Sequence, residues 1–240
     1  MRSMLLLTAA MMTIGCTRVE STFTEDIPAS DVLSLQADLD SGGLSYRGMT
    51  TDWVTVTGEA WGSGSNVDKA EMRAAGNDWS VRTENGTLHL DSVSDAALAG
   101  VQFDVTGPHR MDVDVAVFSG DIWLNNVEGF AQLTADSITL NAFYGDVDLY
   151  TTTGMVDAEV YPTRGGWVRV ESAGDVYLTL PWGMDYDLQV WGNPDSLMVI
   201  DDLGFRYLSD APGYFAGVSG AGSIRVDVYA TGDVYINSVW

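Results

Sequence analysis

Phe143–Val160 reads FYGDVDLYTTTGMVDAEV and says nearly the same thing twice: a glycine, an acidic or polar step, then apolar residues at every second place. Gly145 opens the first copy and Gly154 the second. A period of two is that of a strand with one face buried. Val147, Leu149, Val156, Ala158 and Val160 therefore point one way, and Asp146, Asp148, Asp157 and Glu159 the other. The glycines mark the corners, where a positive φ or a close backbone approach is needed.

The same phase extends in both directions. Ile122 and Leu124, then Ile138, Leu140 and Ala142, read as inward, as do Val168 and Val170, and Val176, Leu178 and Leu180. Ile224, Val226 and Val228, with Val234 and Ile236, close the series. Gly145 and Gly154 stand nine apart, as do Gly165 and Gly174, and Gly222 and Gly232 stand ten apart, so each unit is one short strand and a tight corner. Alternation alone does not separate an antiparallel meander from a β-solenoid. The repetition favours a stack, with equivalent side chains in ladders. The expected fold is all-β: a single-domain, right-handed β-solenoid, parallel β-helix-like, with an irregular N-terminal part and at most one short helix. That helix is expected in VDKAEMRAAG, over Asp68 to Ala75 with Gly76 as its stop. NPDSLMVIDDLGFRYLSDAPGYFAG, residues 193–217, departs from the cadence and is expected as a loop or an elaborated rung.

The chain has 240 residues, enough for one sizeable β-core. Lys and Arg number 11 against 34 Asp and Glu, a formal net charge of -23. Binding to a phosphate backbone rests on cationic side chains, so nucleic acid is excluded as a partner. The N-terminus MRSMLLLTAAMMTIGC places one Arg before an apolar run too short to span a bilayer, the pattern of a signal peptide over 1–15. Thr13-Ile14-Gly15-Cys16 resembles a bacterial lipobox, although Thr13 stands where leucine is usual. Cys16, the only cysteine, is then the expected lipidation site, and intramolecular disulfides are ruled out. Residues 16–30, polar and carrying Pro28, read as a lipidated N-terminus and flexible tether, and 31–240 as the folded domain.

The run from FDVTGPHRMDVDVAVFSGDIWLNNVEGF through FYGDVDLY, then GDVYLTLPWGMDYDLQVWG and VSGAGSIRVDVYATGDVYINSV, resembles the bacterial putative-adhesin, head-GIN-like families of unknown function. They share an SGDI-type strand start, an NVEG corner, further G-D-V strands, an L-P break and a closing G-x-G-x-I…GD-[IV] pair. The resemblance covers about residues 31 to 240, more closely after Phe103. It implies a repetitive β-solenoid exported to the envelope, in the outer membrane or on the cell surface, and it supplies no catalytic residues.

Catalytic settings are sparse. His89 alternates outward between Leu88 and Leu90, His109 lies in a GPHR turn, and no G-x-S-x-G elbow or paired-histidine zinc motif occurs. Carboxylates are too many for any one pair to point to glycoside hydrolysis. No catalytic residue and no cofactor are therefore assigned. Asp112, Asp114, Asp146 and Asp148 form i, i+2 pairs that share a strand face and are the acids a calcium ion would draw on, but the nonapeptide of calcium-binding β-rolls is absent. The aspartates after glycine read first as solvated acids that also satisfy turn amides. Trp123, Tyr150, Tyr161, Trp167, Tyr177, Tyr229 and Tyr235 all fall on the outward phase among Asp, Thr and Asn. Such rings either stack on sugars or a protein partner, or stack on one another across strands and shield the ladder. The expected role is non-enzymatic: a membrane-anchored envelope lipoprotein with a structural or adhesive surface for glycan or another envelope component. The alternative is a polysaccharide lyase or hydrolase on a β-helix, with Arg164 and Arg169 as the basic residues of its central rungs.

Overall fold

The computed structural model describes residues 9–13, 16–94, 98–195, 197–199 and 203–239. They form an all-β protein with one α-helix and a mixture of parallel and antiparallel pairings. The single domain expected from the repeat resolves into two compact units, Met1–Ile122 and Trp123–Trp240.

The first unit holds β1 (Ala9–Thr13), β2 (Cys16–Pro28), β3 (Ser34–Met49), β4 (Trp53–Gly64), α1 (Val67–Ala75), β5 (Asn77–Glu84), β6 (Thr87–Ser94) and β7 (Ala99–Pro108). The next strand, β8 (Asp112–Ala135), begins here and ends in the second unit. Here the expected parallel stack gives way to a mixed sheet. β2 pairs antiparallel with β4, and β4 antiparallel with β7. β3 is parallel to β6 over Ser34–Leu39 and to β7 over Gly42–Met49. The change of partner falls at Gly42, whose φ of +124° suits glycine and whose added Cβ would lie 2.0 Å from the Val101 carbonyl oxygen. β5 and β6 form an antiparallel hairpin around Asn85-Gly86, both at positive φ, the turn this dipeptide favours. The helix expected at Asp68–Ala75 is α1, capped by Asn66 Oδ1, which accepts from the Lys69 amide at 2.9 Å.

The flexible tether expected at 16–30 is instead largely β2. Its inward positions hold Val19, Phe23 and Ile27, all buried, while Ser21 and Glu25 between them diluted the alternation. Phe23 stacks on Trp79 at 3.4 Å, meets Phe103 edge-on, and occupies the space left open by Gly58. Of the expected signal peptide only 9–13 is described, as a strand antiparallel to Cys16–Glu20. The rest of that segment, including residues 14 and 15 of the cleavage motif, lies outside the described residues.

The second unit adds β9 (Ser137–Thr151), β10 (Val156–Tyr161), β11 (Trp167–Ser172), β12 (Val176–Pro181), β13 (Tyr186–Trp191), β14 (Leu197–Val199), β15 (Arg206–Ala211), β16 (Tyr214–Val218), β17 (Ile224–Ala230) and β18 (Val234–Val239). Here parallel ladders dominate. One runs from the first half of β9 through β10, β12 and β18 to β14, aligning Ile138, Val156, Val176, Val234 and Leu197. The other runs from the second half of β9 through β11 and β17 to β13, aligning Val147, Val168, Val226 and Leu188. Stacked β-branched side chains fill the space between neighbouring strands at about 4.8 Å. The corner glycines collect as expected: an added Cβ on Gly174 would meet the Gly154 carbonyl at 2.3 Å, and one on Gly232 the Gly174 carbonyl carbon at 2.7 Å.

Two features depart from a plain stack. β17 and β18, last in sequence, lie inside the ladders, between β11 and β13 and between β12 and β14. The segment expected as a loop or an elaborated rung carries strands: β14 joins one ladder, and β16 pairs antiparallel with both β13 and β15. One inward assignment also changes. Ala142 is half-exposed at φ +56°, and the buried residue of that corner is Phe143. The left-handed residue consumes one position and shifts the phase, so Phe143 and then Val147 face inward. β8 carries the same pattern, with Asn126 at φ +58° and Val127 buried.

Candidate functional site

Strands need carry only one buried face, and the outward positions of β9, β11, β17 and β13 make up the candidate site. Register places Asp148, Arg169, Asp227 and Gln189 in one row and Tyr150, Glu171, Tyr229 and Trp191 in the next. Trp167 and Arg225 form the row before, with Asp187 beyond them. Carboxylate and guanidinium thus alternate across strands, the arrangement that stabilises a sheet face. Arg225 Nε donates to Asp227 Oδ2 at 2.6 Å, and Arg169 Nη2 lies 3.7 Å from Glu171 Oε2. The hydrogen bond from Arg225 to Asp227 holds its guanidinium above its ordinary pKa.

Two shallow hollows open on this face. One of about 520 Å³ is lined by Arg169, Glu171, Arg225, Asp227 and Tyr229. The second, about 190 Å³, shares Arg169 and Glu171 and adds Gln132, Leu133, Thr134, Asp148 and Tyr150. Glu171 lies between Tyr150 and Tyr229, so the two rings stand two strand spacings apart, roughly 10 Å. Tyr229 stacks on Trp191 at 4.4 Å, and Trp191 leans on Tyr214 at 5.0 Å. Tyr150 is 43% exposed and stacks on no other ring among the described residues.

Six of the seven aromatic residues expected to share a surface divide between two faces. Tyr150, Trp167 and Tyr229 belong to the ladder just described, Trp167 tilted against Phe130 at 5.8 Å. Tyr161, Tyr177 and Tyr235 belong to the ladder of β10, β12 and β18. There Tyr177 stacks on Tyr235 at 5.1 Å, nearly parallel, and Tyr161 on Tyr144 at 4.8 Å. On that face the rings shield the ladder. Trp123 lies on β8, half-buried. The Tyr161 hydroxyl donates to Glu159, and this bond together with burial pushes its pKa up to about 12.

Trp191, Tyr214, Glu171, Arg225 and Asp227 are the site residues that the sequence reading passed over. The alternation of YDLQVW puts Trp191 on the outward phase, which is the sequence signal for it.

The glycine-linked aspartates largely serve corners. Asp146 Oδ1 accepts from the Thr163 hydroxyl at 3.0 Å and the Trp167 amide at 3.3 Å, and Asp175 Oδ1 accepts from the Asp233 amide at 2.8 Å. Asp148 faces Arg169 across the ladder, and Asp112 and Asp114 lie exposed on β8. Among the described residues no three His, Cys, Asp or Glu converge as a metal site would require. Arg164 is exposed in the turn between β10 and β11, apart from the row that holds Arg169. His89 is half-buried on β6, between Gln36 and Arg82 in register.

No family model matches the chain, and no curated protein sequence matches it. Among solved structures, one described as a "putative cell adhesion protein" from Clostridium sporogenes shares 9% identity over 92% of this chain and 100% of its own, with a TM-score of 0.41. A "putative adhesin" from Bacteroides fragilis shares 11% over 91% and 97%, with a TM-score of 0.32. A "putative lipid binding protein" from Parabacteroides distasonis shares 12% over 90% and 96%, with a TM-score of 0.26. Likenesses this remote leave the architecture to be argued from this chain's own strand pairings.

Proposed function

We propose that the chain is a non-enzymatic, exported lipoprotein of the bacterial envelope, anchored through Cys16, whose second unit is an elaborated β-solenoid that binds glycan. The observation that carries this reading is the outward face of β9, β11, β17 and β13. It offers exposed edges of Tyr150 and Tyr229 beside Glu171, Arg169 and Asp227 in a shallow, open hollow. Aromatic rings take the apolar faces of sugars while flanking charged groups take their hydroxyls. A flat strip suits an extended polymer, whereas an enzyme needs a pocket that removes water from the reacting atoms. The carboxylates around Arg169 would also repel the uronate on which a lyase acts, which disfavours the enzymatic alternative.

Because β2 is paired with β4 from Thr17 onward, an acylated Cys16 would hold the folded body close to the bilayer with almost no intervening tether. A second acyl chain would make that anchorage stable. Labelled palmitate should enter the wild-type protein and not Cys16→Ser; equal labelling would remove the anchor from this reading.

Affinity chromatography on immobilised envelope polysaccharide tests the face itself. Tyr150→Ala and Tyr229→Ala should each reduce retention several-fold, while Tyr177→Ala, on the other ladder, should leave it unchanged. Loss of retention by Tyr177→Ala alone would place binding elsewhere. Release of unsaturated or reducing ends would favour the enzyme.

A further inference from the structure

The charges of the candidate face are not balanced. Asp148, Glu171, Asp187 and Asp227 accompany only two guanidiniums, Arg169 and Arg225. Both cations already have carboxylate neighbours: Arg225 bonds Asp227 and faces Asp187 in register, while Arg169 approaches Glu171 and lies between Asp148 and Asp227. An anionic sugar would have to displace these pairs and then meet the surplus acid, within a chain of net charge -23.

Asp227 gives the surplus a position. Its side chain is only 15% exposed, and while Oδ2 accepts from Arg225, Oδ1 is buried and receives no hydrogen bond in the structure. A carboxylate oxygen left without a donor is costly. Asp227 is one of the residues that line the larger hollow, so a donor bound there would meet its carboxylate and satisfy the oxygen left without one. Ammonium is the donor that also offsets the excess charge.

Resting on the glycan reading, we propose that this groove selects glycans that carry free amino groups. Asp227, Glu171 and Asp148 would receive the ammonium groups, and Tyr150 and Tyr229 the apolar faces of the sugar rings. Hydrogen bonds between ammonium and carboxylate are the stronger, charge-assisted kind.

The test is calorimetric titration of the full chain with three tetrasaccharides: β-linked glucosamine, its N-acetylated counterpart and galacturonate. The expected result is binding of the amino form about tenfold tighter than the acetylated form, weakening with salt, and no binding of the uronate. Asp227→Asn should lower affinity for the amino form about tenfold, with Asp104→Asn, an exposed acid of the first unit, as a charge-matched control that changes nothing. If Asp227→Asn melts early, Glu171→Gln takes its place with the same expectation. Equal binding of the acetylated form, or any preference for the uronate, overturns the amino selection while leaving glycan binding intact. An equal loss with Asp104→Asn reduces it to bulk charge and also overturns it. Binding of none of the three removes both this inference and the glycan reading.

Discussion

Val228 stands in parallel register beside Val170, although about half the sequence of the second unit separates the two. On its other side lies Val190, so the final pair of strands fills a slot between strands made much earlier in the chain. Backbone hydrogen bonds of β11 and β13 therefore depend on a late segment, a non-local arrangement that closes slowly.

The inserted strand should act as a keystone for its neighbours. Val226 is fully buried, so Val226→Ala should cost about 2 kcal/mol. Val226→Asp places a charge in the core and should prevent the second unit from folding. Hydrogen exchange on Val226→Ala should show faster exchange in both β11 and β13. Protection unchanged in either strand would mean that the slot holds without its occupant.

Glycines at the corners should divide by what surrounds them. Gly145 has φ +146°, and an added Cβ would lie 1.8 Å from the Gly129 carbonyl oxygen, whereas Gly165 at φ +79° has nothing within 4 Å. Gly165→Ala should therefore cost about 1 kcal/mol, from the left-handed backbone alone. Gly145→Ala adds a collision between adjacent strands and should cost at least about 3 kcal/mol. Urea midpoints of the two variants decide this, and equal midpoints would show that the corner relaxes freely.

Much of the second unit was legible because alternation and corner glycines repeat together: Val147, Leu149, Val156, Val168, Val176 and Val234 are all inward as read. Ala142 was not legible. A left-handed residue that is neither Gly nor Asn leaves no composition cue, and it shifts the phase by one. Neither was the order of the ladders, since the period of β17 is the same whether it follows β13 or slips between β13 and β11. In the first unit Val19, Phe23 and Ile27 were too widely spaced among polar residues to announce β2. As for the candidate face, alternation gave the outward direction of each ring, but not which of the two ladders Tyr150 and Tyr177 would join.

The segment first read as a tether yields a direct contrast. A tether residue can be truncated at no cost, but Phe23 is buried and packed on Trp79 and Phe103. Phe23→Ala should destabilise the first unit by about 3 kcal/mol, while Thr24→Ala, whose side chain is exposed, should lie within about 0.5 kcal/mol of wild type. Denaturant titration followed by tryptophan fluorescence reports on this through Trp79. A null effect for Phe23→Ala would restore the tether.

The Tyr161 pair gives stability an alkaline edge. Its hydrogen bond to Glu159, then burial and the nearby Glu159 and Tyr144, push the Tyr161 pKa up to about 12, while an unfolded tyrosine ionises near 10. Below about pH 10 the hydroxyl is protonated in both states and the bond contributes in full. Between about 10 and 12 only the unfolded chain releases the proton, so stability falls as pH rises through this window. Burial raises Tyr46 and Tyr186 as well, so the wild-type decline is a composite of several groups. Tyr161→Phe removes one of them. The stability difference between wild type and Tyr161→Phe should therefore be constant up to about pH 9 and shrink by about pH 11. A difference that stays level across that range would mean that the Glu159 bond does not hold the proton.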